Sequence, residues 1–157
     1  MIILSARTPA HFELANDLFR QYAAELNVDL CFQGFAAELE NLAAMYSEPH
    51  GELLLATDSD TVIGCVALRR FSATDAEMKR LFVLPDHRES GVGRVLAQRI
   101  IARAQDLGYH RMLLDTLDSM GAAKALYRSL GFESFAAYYH NPIPNTLYFA
   151  KDLLFRG

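Results

Sequence analysis

A six-residue turn at positions 88–93 holds the residue types best suited to binding an anion. It contains Arg88, Gly91 and Gly93, follows a short apolar run that ends at Leu84, and leads into a stretch with helical apolar periodicity. The first backbone N–H groups of a helix have no partner within the helix, and the helix dipole makes that end partially positive. Glycines let the backbone approach a ligand closely. The order of strand, glycine turn and helix therefore predicts a site for a phosphate or a pyrophosphate.

Two other phosphate-binding loops do not fit these residues. A P-loop requires a glycine followed by lysine and then serine or threonine, and the sequence has no such triplet. A dinucleotide-binding turn requires a third glycine at the position of Leu96.

A tyrosine further along the chain is the first candidate for a proton donor. Tyr127 lies in a predicted helix, four residues before Gly131 and Phe132. A phenol with a pKa of about 10 stays protonated at neutral pH, and it can donate a proton to a leaving thiolate whose own pKa is about 8.5. The same tyrosine shares helical spacing with Met120 and Ala123, so packing in the core is the structural alternative.

Two patterns in the chain resemble those of the GNAT family of N-acetyltransferases. The turn at 88–93 is similar to the family's pyrophosphate signature R/Q-x-x-G-x-G/A. Ala123, Tyr127, Gly131 and Phe132 are similar to the family's ending A-x-x-x-Y-x-x-x-G-F. The resemblance implies transfer of an acetyl group from acetyl-CoA to a primary amine, by direct attack in a ternary complex. A non-catalytic acyl-CoA binding or sensing module is the alternative, and retention of Tyr127 favours the enzyme.

The resemblance also implies which residues bind the cofactor and take part in catalysis. Backbone N–H groups of Phe82 to Leu84, in the strand before the turn, stabilise the oxyanion, with Val83 as the first donor. Tyr127 is the expected general acid, and Glu77 is the first candidate for the general base. The expected cofactor-binding residues are Phe82, Val83, Leu84, Arg88, Glu89, Ser90, Gly91, Val92, Gly93, Arg94, Ala123 and Tyr127.

Acetyl transfer to an amine requires removal of a proton from the acceptor's ammonium form. An amine with a pKa of about 10.4 is mostly protonated at neutral pH, so the site must desolvate it or supply a base, directly or through a water. Glu77 begins the strand that leads to the turn, and a solvated carboxylate at a strand end is its structural alternative. Tyr138, Tyr139 and His140 form an aromatic, titratable run that offers either a second base at His140 or one wall of the acceptor pocket. Simple surface exposure is the alternative for His140.

The sequence departs from the family pattern at two positions. Met120 stands where many relatives have an asparagine that contacts the pantetheine arm, and Ser119 and Met120 are the two candidates to replace that contact. Glu89 stands where many relatives have glycine, which leaves backbone donation intact if Glu89 keeps the loop conformation. Arg94, in the first turn of the helix, is the arginine favoured for phosphate contact.

Periodicity and turn residues predict the elements that must position these residues. Strands are predicted at 2–7, 52–57, 61–70, 76–84, 110–117, 132–138 and 146–154. The first helix is predicted to start after an N-cap at Thr8, a second at 35–45, the central one after the turn, and the last at 121–130. The unit of strand, central helix and strand is parallel and right-handed, and the other strands are antiparallel. This gives an α/β (α+β) fold, with a mixed, mostly antiparallel central sheet of about seven strands and helices on both faces, as in GNAT-like acyl-CoA N-acyltransferases.

Composition indicates the class of protein. The chain has 157 residues, of which 52% are hydrophobic and 22% charged, with a formal net charge of -4 at pH 7. This length predicts a single N-acetyltransferase domain over residues 1–157. The negative charge argues against nucleic-acid binding, and five histidines without ligand spacing give no reason to expect a metal.

The cysteines and the termini indicate a compartment. Cys31 and Cys65 are isolated, which predicts free thiols in a reducing environment. No signal peptide or long apolar run is present, so a cytoplasmic protein without a membrane partner is expected. The expected partners are acetyl-CoA and a small-molecule or peptide amine. The apolar connector at 26–34 either packs in the core or lines the acceptor pocket. A homodimer is common among proteins of this kind, and no residue pattern compels one.

Overall fold

A seven-stranded sheet organises the part of the chain that the computed structural model describes, residues 1–26 and 34–154. Its strands are β1 Ile2–Ser5, β2 Glu52–Asp58, β3 Thr61–Arg70, β4 Asp75–Val83, β5 Arg111–Leu117, β6 Glu133–Ser134 and β7 Thr146–Asp152. They stand in the order β1-β2-β3-β4-β5-β7-β6. Neighbours are antiparallel except for β4 and β5, which are parallel. The predicted mixed, mostly antiparallel sheet is confirmed.

The described helices cover both faces of this sheet, as predicted. They are α1 Pro9–Leu26, α2 Phe35–Glu40, α3 Leu42–Met45, α4 Val92–Asp106 and α5 Gly121–Ser129. Thr8 caps α1, because its Oγ1 accepts a hydrogen bond from the backbone N–H of His11 at 3.2 Å. Within the described ranges, no helix combines the length and the apolar character that crossing a membrane requires.

Two hydrophobic clusters lie on opposite faces of the sheet, because successive side chains of a strand point to opposite sides. Leu54 joins the cluster beneath α4, whereas its neighbours Leu53 and Leu55 join the cluster beneath α1. Leu96 of α4 and Phe19 of α1 are completely buried in these clusters. Burial of a side chain of this size contributes about 1.5–3 kcal/mol, so the two clusters hold the sheet firmly between α1 and α4.

Arg80 interrupts the regular alternation of β4. Before it, Ala76 and Met78 point toward α4, and after it Leu81 and Val83 do. The pairing of β3 with β4 shifts in register at this place, and Arg80 has a φ of 60°. A bulge of this kind inserts one residue and bends the strand. Even-numbered residues of β4 therefore point toward α4 before the bulge, and odd-numbered residues do so after it.

The parallel strands β4 and β5 are paired only where they begin. The pairs are Asp75 with Arg111, Ala76 with Met112, and Glu77 with Leu113. Beyond Glu77 the strands diverge, so backbone groups on that side of β4 have no strand partner in β5. Of the predicted site residues, Ala123 and Tyr127 lie at the opening between the two strands.

Two predicted elements differ from the structure. The helix expected at 35–45 is broken at Asn41, whose side-chain Nδ2 donates to the carbonyl of Ala37 and whose backbone is not helical. Side-chain bonds of this kind compete with the helical backbone. The strand expected at 132–138 is only two residues long. It ends early because Tyr138 and Tyr139 cross the sheet to contact carboxylates on β4 and β5.

Of the two cysteines, the structure describes one. Cys65 is a free, buried thiol on β3, as predicted. Cys31 and most of the apolar connector fall at residues 27–33, outside the described part of the chain.

Candidate active site

The turn before α4 presents a run of backbone donors. None of the N–H groups of residues 89–94 has an acceptor among the residues that the structure describes. The groups on either side are paired, because Arg88 donates to the carbonyl of Pro85 and Val95 to that of Gly91. Such a run at the positive end of a helix is suited to an anion with several oxygens. The cradle stays a prediction, and this run of donors supports it.

Left-handed backbone conformations shape this turn. Gly91 precedes α4 with a φ of 90°, which strains any residue with a Cβ, although a Cβ there would meet no atom within 4 Å. Glu89 also has a positive φ, of 66°. The side chain of Val92 is buried, so this residue offers a ligand only its backbone.

The side chains of the turn contact the protein itself. Arg88 donates from Nε to the carbonyl of Val83 at 2.8 Å, and both its terminal nitrogens bind Glu25 of α1 at 2.6 Å. Arg94, favoured for phosphate contact, donates from Nη2 to Oγ of Ser129 at 2.9 Å. These arginines hold α1, β4 and α5 around the turn. The backbone of the turn is therefore the part that faces a ligand.

Of the predicted oxyanion donors, Val83 has the suitable direction. The N–H of Leu84 donates to the carbonyl of Ile63 on β3 at 2.8 Å, so the expectation that it serves an oxyanion is wrong. Because alternate N–H groups of a strand point the same way, that of Phe82 also faces β3. The N–H of Val83 points away from β3, toward the gap that β5 leaves.

A cavity of about 80 Å³ lies in the opening between β4 and β5. Its walls come from both strands, α1, α5 and the segment before β7. Its lining includes Tyr22, Lys79, Asp115, Met120, Ala123 and Tyr127. The structure thus brings the predicted residues Ala123 and Tyr127 together at this cavity.

Tyr127 combines a place in the core with a place on the cavity wall. Its side chain is 7% exposed, and its ring packs against Phe132 and Phe149 at centroid distances of 5.9 and 6.4 Å. Its hydroxyl makes no hydrogen bond with any described residue. Burial raises the pKa of Tyr127 above its ordinary value, so the phenol keeps its proton at neutral pH.

Glu77 is a buried, bonded carboxylate, so the alternative of a solvated strand-end residue is wrong. It is 1% exposed, and it accepts hydrogen bonds from the hydroxyl of Tyr138 at 2.6 Å and from Nε of Arg69 at 2.8 Å. Nζ of Lys79 lies 3.9 Å from its Oε1. Burial, together with the Glu77 charge, raises the pKa of Tyr138. The side chain of Glu77 lies behind Lys79 and does not itself line the cavity.

Asp115 and Lys79 line the cavity and were missed by the sequence reasoning. The hydroxyl of Tyr139 donates to Oδ2 of Asp115 at 2.5 Å, and Nδ2 of Asn141 donates to the same oxygen at 3.2 Å. Burial lowers the pKa of Lys79. A charged residue within each apolar strand was the signal that could have revealed them. Tyr138 and Tyr139 bind the carboxylates of Glu77 and Asp115, so the role of this run as a wall of the acceptor pocket stays a prediction, while His140 is exposed.

Arg80 is a fixed cation at the same cavity. It is 5% exposed and binds the buried carboxylate of Glu38 through two bonds, Nε to Oε2 at 2.9 Å and Nη2 to Oε1 at 2.8 Å. The rings of Tyr22 and Phe35 flank its guanidinium at 5.6 and 5.3 Å. This cluster joins α1, α2 and the bulge of β4, and so stabilises the wall of the cavity.

The predicted replacement for the pantetheine-binding asparagine can also be located. Met120 lines the cavity, and its sulfur accepts a hydrogen bond from Oγ1 of Thr116 at 3.6 Å. Ser119 is exposed at the surface. Met120 is therefore the better placed of the two candidates.

Comparison with known proteins gives a family match and a fold match. The model of the Acetyltransferase (GNAT) family matches residues 12–132. An uncharacterized N-acetyltransferase of Schizosaccharomyces pombe is 40% identical over 153 residues, which cover 96% of this chain and 94% of that protein.

Two solved structures share the fold. The acetyltransferase from Streptococcus agalactiae has a TM-score of 0.79 at 23% identity, over 96% of this chain and 97% of the other. A GNAT family acetyltransferase from Elizabethkingia anophelis, solved with acetyl-CoA bound, has a TM-score of 0.66 at 20% identity, over 96% and 97% of the two chains.

Proposed function

The chain belongs to the GNAT family of acetyltransferases and is an acyltransferase, and on this premise we propose that it transfers an acetyl group from acetyl-CoA to a primary amine. The amine attacks directly in a ternary complex. The observation that carries the proposal is the run of backbone N–H groups at residues 89–94 without an acceptor among the described residues. A tyrosine that is protonated at neutral pH lines the cavity between β4 and β5.

The residues of the turn fit a diphosphate. Consecutive N–H groups can donate to several phosphate oxygens at once, and the start of α4 adds the favourable end of the helix dipole. Arg88 and Arg94 act by holding the turn, through Val83, Glu25 and Ser129. Ala123 and Met120 line the cavity from the start of α5, where the arm of the cosubstrate is proposed to lie.

The N–H of Val83 is the proposed oxyanion donor. It faces the gap between β4 and β5, and β3 holds the neighbouring N–H of Leu84 in the opposite direction. A donor fixed by a strand needs no rearrangement when charge develops on the carbonyl oxygen. Loss of one such donor typically lowers the turnover number about 100- to 1000-fold.

Tyr127 is the proposed general acid for the departing thiolate. Its buried phenol is protonated at neutral pH, and its hydroxyl has no competing bond within residues 1–26 and 34–154. Glu77 is the proposed general base. Because its side chain lies behind Lys79, the proton of the acceptor would reach it through a water rather than by direct contact.

Thermal unfolding with and without acetyl-CoA tests the function first. At one hundred times the dissociation constant, a ligand that binds only the folded state stabilises it by about 2.7 kcal/mol, a melting shift of about 5–10 °C for a chain of this size. Release of free thiol on addition of an amine would then establish transfer. The absence of a shift at millimolar acetyl-CoA would refute the proposal. Cytoplasmic location stays a prediction from the sequence.

A further inference from the structure

Two opposite charges face each other across the opening between β4 and β5. Glu77 of β4 pairs with Leu113 of β5, and the strands diverge beyond this pair. Lys79 and Asp115 each lie two residues further along their strands. Because side chains two residues apart point to the same face, Lys79 and Asp115 lie on one face of the sheet, on opposite sides of the gap. Both side chains line the cavity.

The carboxylate of Asp115 is held in a fixed orientation. Tyr139 and Asn141 both donate to its Oδ2, and Nδ2 of Asn141 also donates to the hydroxyl of Tyr139 at 2.9 Å. Oδ1 accepts no hydrogen bond from the residues that the structure describes. A carboxylate braced on one oxygen can receive an ammonium group on the other.

Lys79 offers the complementary charge on the β4 side. It is 6% exposed, and its ammonium lies 3.9 Å from Glu77. An ammonium group has three N–H donors, so this ion pair is compatible with a further bond to a ligand oxygen. Burial lowers the pKa of Lys79, and a second carboxylate beside it would raise that pKa again. An anionic ligand group would thus stabilise the charged form of the lysine.

The lining of the cavity restricts what can lie between these charges. Tyr22 and Ile143 supply aromatic and apolar surface beside them. A polyamine or an aminoglycoside would bring a second positive charge against Lys79 and the neighbouring Arg80. A small molecule that carries one ammonium and one carboxylate matches both walls.

We propose that the acceptor is a small aminocarboxylate of the amino-acid class, whose ammonium group binds Asp115 and whose carboxylate binds Lys79. The assignment rests on the proposed acetyl transfer and specifies its acceptor. The ammonium group first loses one proton to the proposed base Glu77 through a water. The neutral nitrogen then bonds to the acetyl carbon and loses its second proton, while the thioester C–S bond breaks and the sulfur takes a proton from Tyr127 and leaves as the thiol. The second proton from the nitrogen replaces the one that Tyr127 donated. The carboxylate is unchanged. Because the product has lost its ammonium charge, its attraction to Asp115 falls and its release is favoured.

The first experiment compares matched acceptors on the full chain. Thiol release from acetyl-CoA is measured with each of the twenty common amino acids, with spermidine and with kanamycin. The best amino acid is then compared with its methyl ester and with its decarboxylated amine. We expect at least one amino acid to be acetylated, with kcat/KM at least tenfold higher than for its ester or its amine.

Two substitutions assign the two charges. Lys79→Met should raise KM for the amino acid at least tenfold more than it raises KM for the methyl ester, and Lys79→Arg should restore part of the difference. The comparison with the ester removes any effect of the lost ion pair with Glu77, which both acceptors share. Asp115→Asn should lower kcat/KM at least tenfold for the amino acid and the ester alike. Lys151→Met, on β7 and away from the cavity, is the matched control that should change neither. The melting shift with acetyl-CoA, measured on every variant, separates loss of acceptor binding from loss of folding.

The outcomes distinguish this inference from the proposed function. Acetylation of spermidine or kanamycin but of no amino acid would overturn the acceptor class and leave acetyl transfer intact. An amino acid and its ester used equally well would overturn the role of Lys79. Binding of acetyl-CoA without turnover of any acceptor in the panel would also overturn the assignment. Absence of acetyl-CoA binding would refute the function itself.

Discussion

Replacement of Tyr127 by phenylalanine removes one hydroxyl group and separates chemistry from packing. The ring stays between Phe132 and Phe149, and the hydroxyl has no hydrogen bond to lose among the described residues. Loss of a buried hydroxyl without a partner is close to neutral for folding, so we expect the free energy of unfolding to change by less than about 0.5 kcal/mol. The dissociation constant of acetyl-CoA should also stay nearly the same.

The turnover number is expected to fall in this variant. A positioned general acid contributes about 100- to 10,000-fold. A thiolate with a pKa of about 8.5 is a fair leaving group and water can protonate it, so the contribution falls at or below the lower limit of that range. We expect a loss of about 10- to 100-fold, which corresponds to about 1.4–2.7 kcal/mol in the activation free energy. The loss should shrink above about pH 8.5, where the thiolate needs no proton.

The assay is thiol release at saturating acetyl-CoA and amine, with calorimetry for cofactor affinity and thermal unfolding for stability. Tyr109→Phe is the matched control. Tyr109 is 8% exposed, and its hydroxyl donates to the carbonyl of His50 at 2.6 Å, away from the cavity. It should lose about 1 kcal/mol of stability and keep its turnover number. Equal turnover of Tyr127→Phe and the wild type would refute the acid assignment, as would a loss fully matched by weaker acetyl-CoA binding.

Three other perturbations test the cradle, the base and the ion pairs. Gly91→Val should weaken acetyl-CoA binding at least tenfold in calorimetry, whereas Gly108→Val, with the same φ of 90° at the other end of α4, should cost similar stability without changing affinity. Glu77→Gln should lower the turnover number at least tenfold and flatten the acidic limb of its pH profile; an unchanged profile would remove Glu77 as the base. Burial raises the pKa of Glu52, but hydrogen bonds from two arginines outweigh it and lower that pKa below 4.5. The carboxylate therefore stabilises the fold above about pH 4.5 and stops doing so as the pH falls through the lowered pKa, so Glu52→Gln should cost about 2 kcal/mol at pH 7 by thermal unfolding and less at pH 4.

Local sequence was sufficient for the cradle. The donors at 92–94 exist because α4 begins there, and a helix start leaves its N–H groups without partners whatever surrounds it. Those at 89–91 belong to the left-handed turn that the glycine pattern predicts. The same holds for the cap at Thr8 and for the hairpin of β2 and β3, whose signals lie within a few residues of each other. The pattern that contains Tyr127 could be recognised because its residues lie close together in the sequence, on α5 and directly after it. The sheet followed from the order of the strands and the handedness of their crossover.

The sequence could not reveal which charges share the cavity. Tyr138 and Glu77 are 61 residues apart in the chain, and Arg80 and Glu38 are 42 apart, so their contacts arise from the paths of whole strands and helices. The bulge at Arg80 also reverses which side chains of β4 point to each face of the sheet, and the sequence periodicity does not predict this change. The tertiary structure alone therefore decided that Lys79 and Asp115 oppose each other. β4 and β5 pair only at their beginnings and then diverge. The space between them lets polar side chains of both strands contact a ligand, which a continuous ladder of backbone hydrogen bonds would exclude.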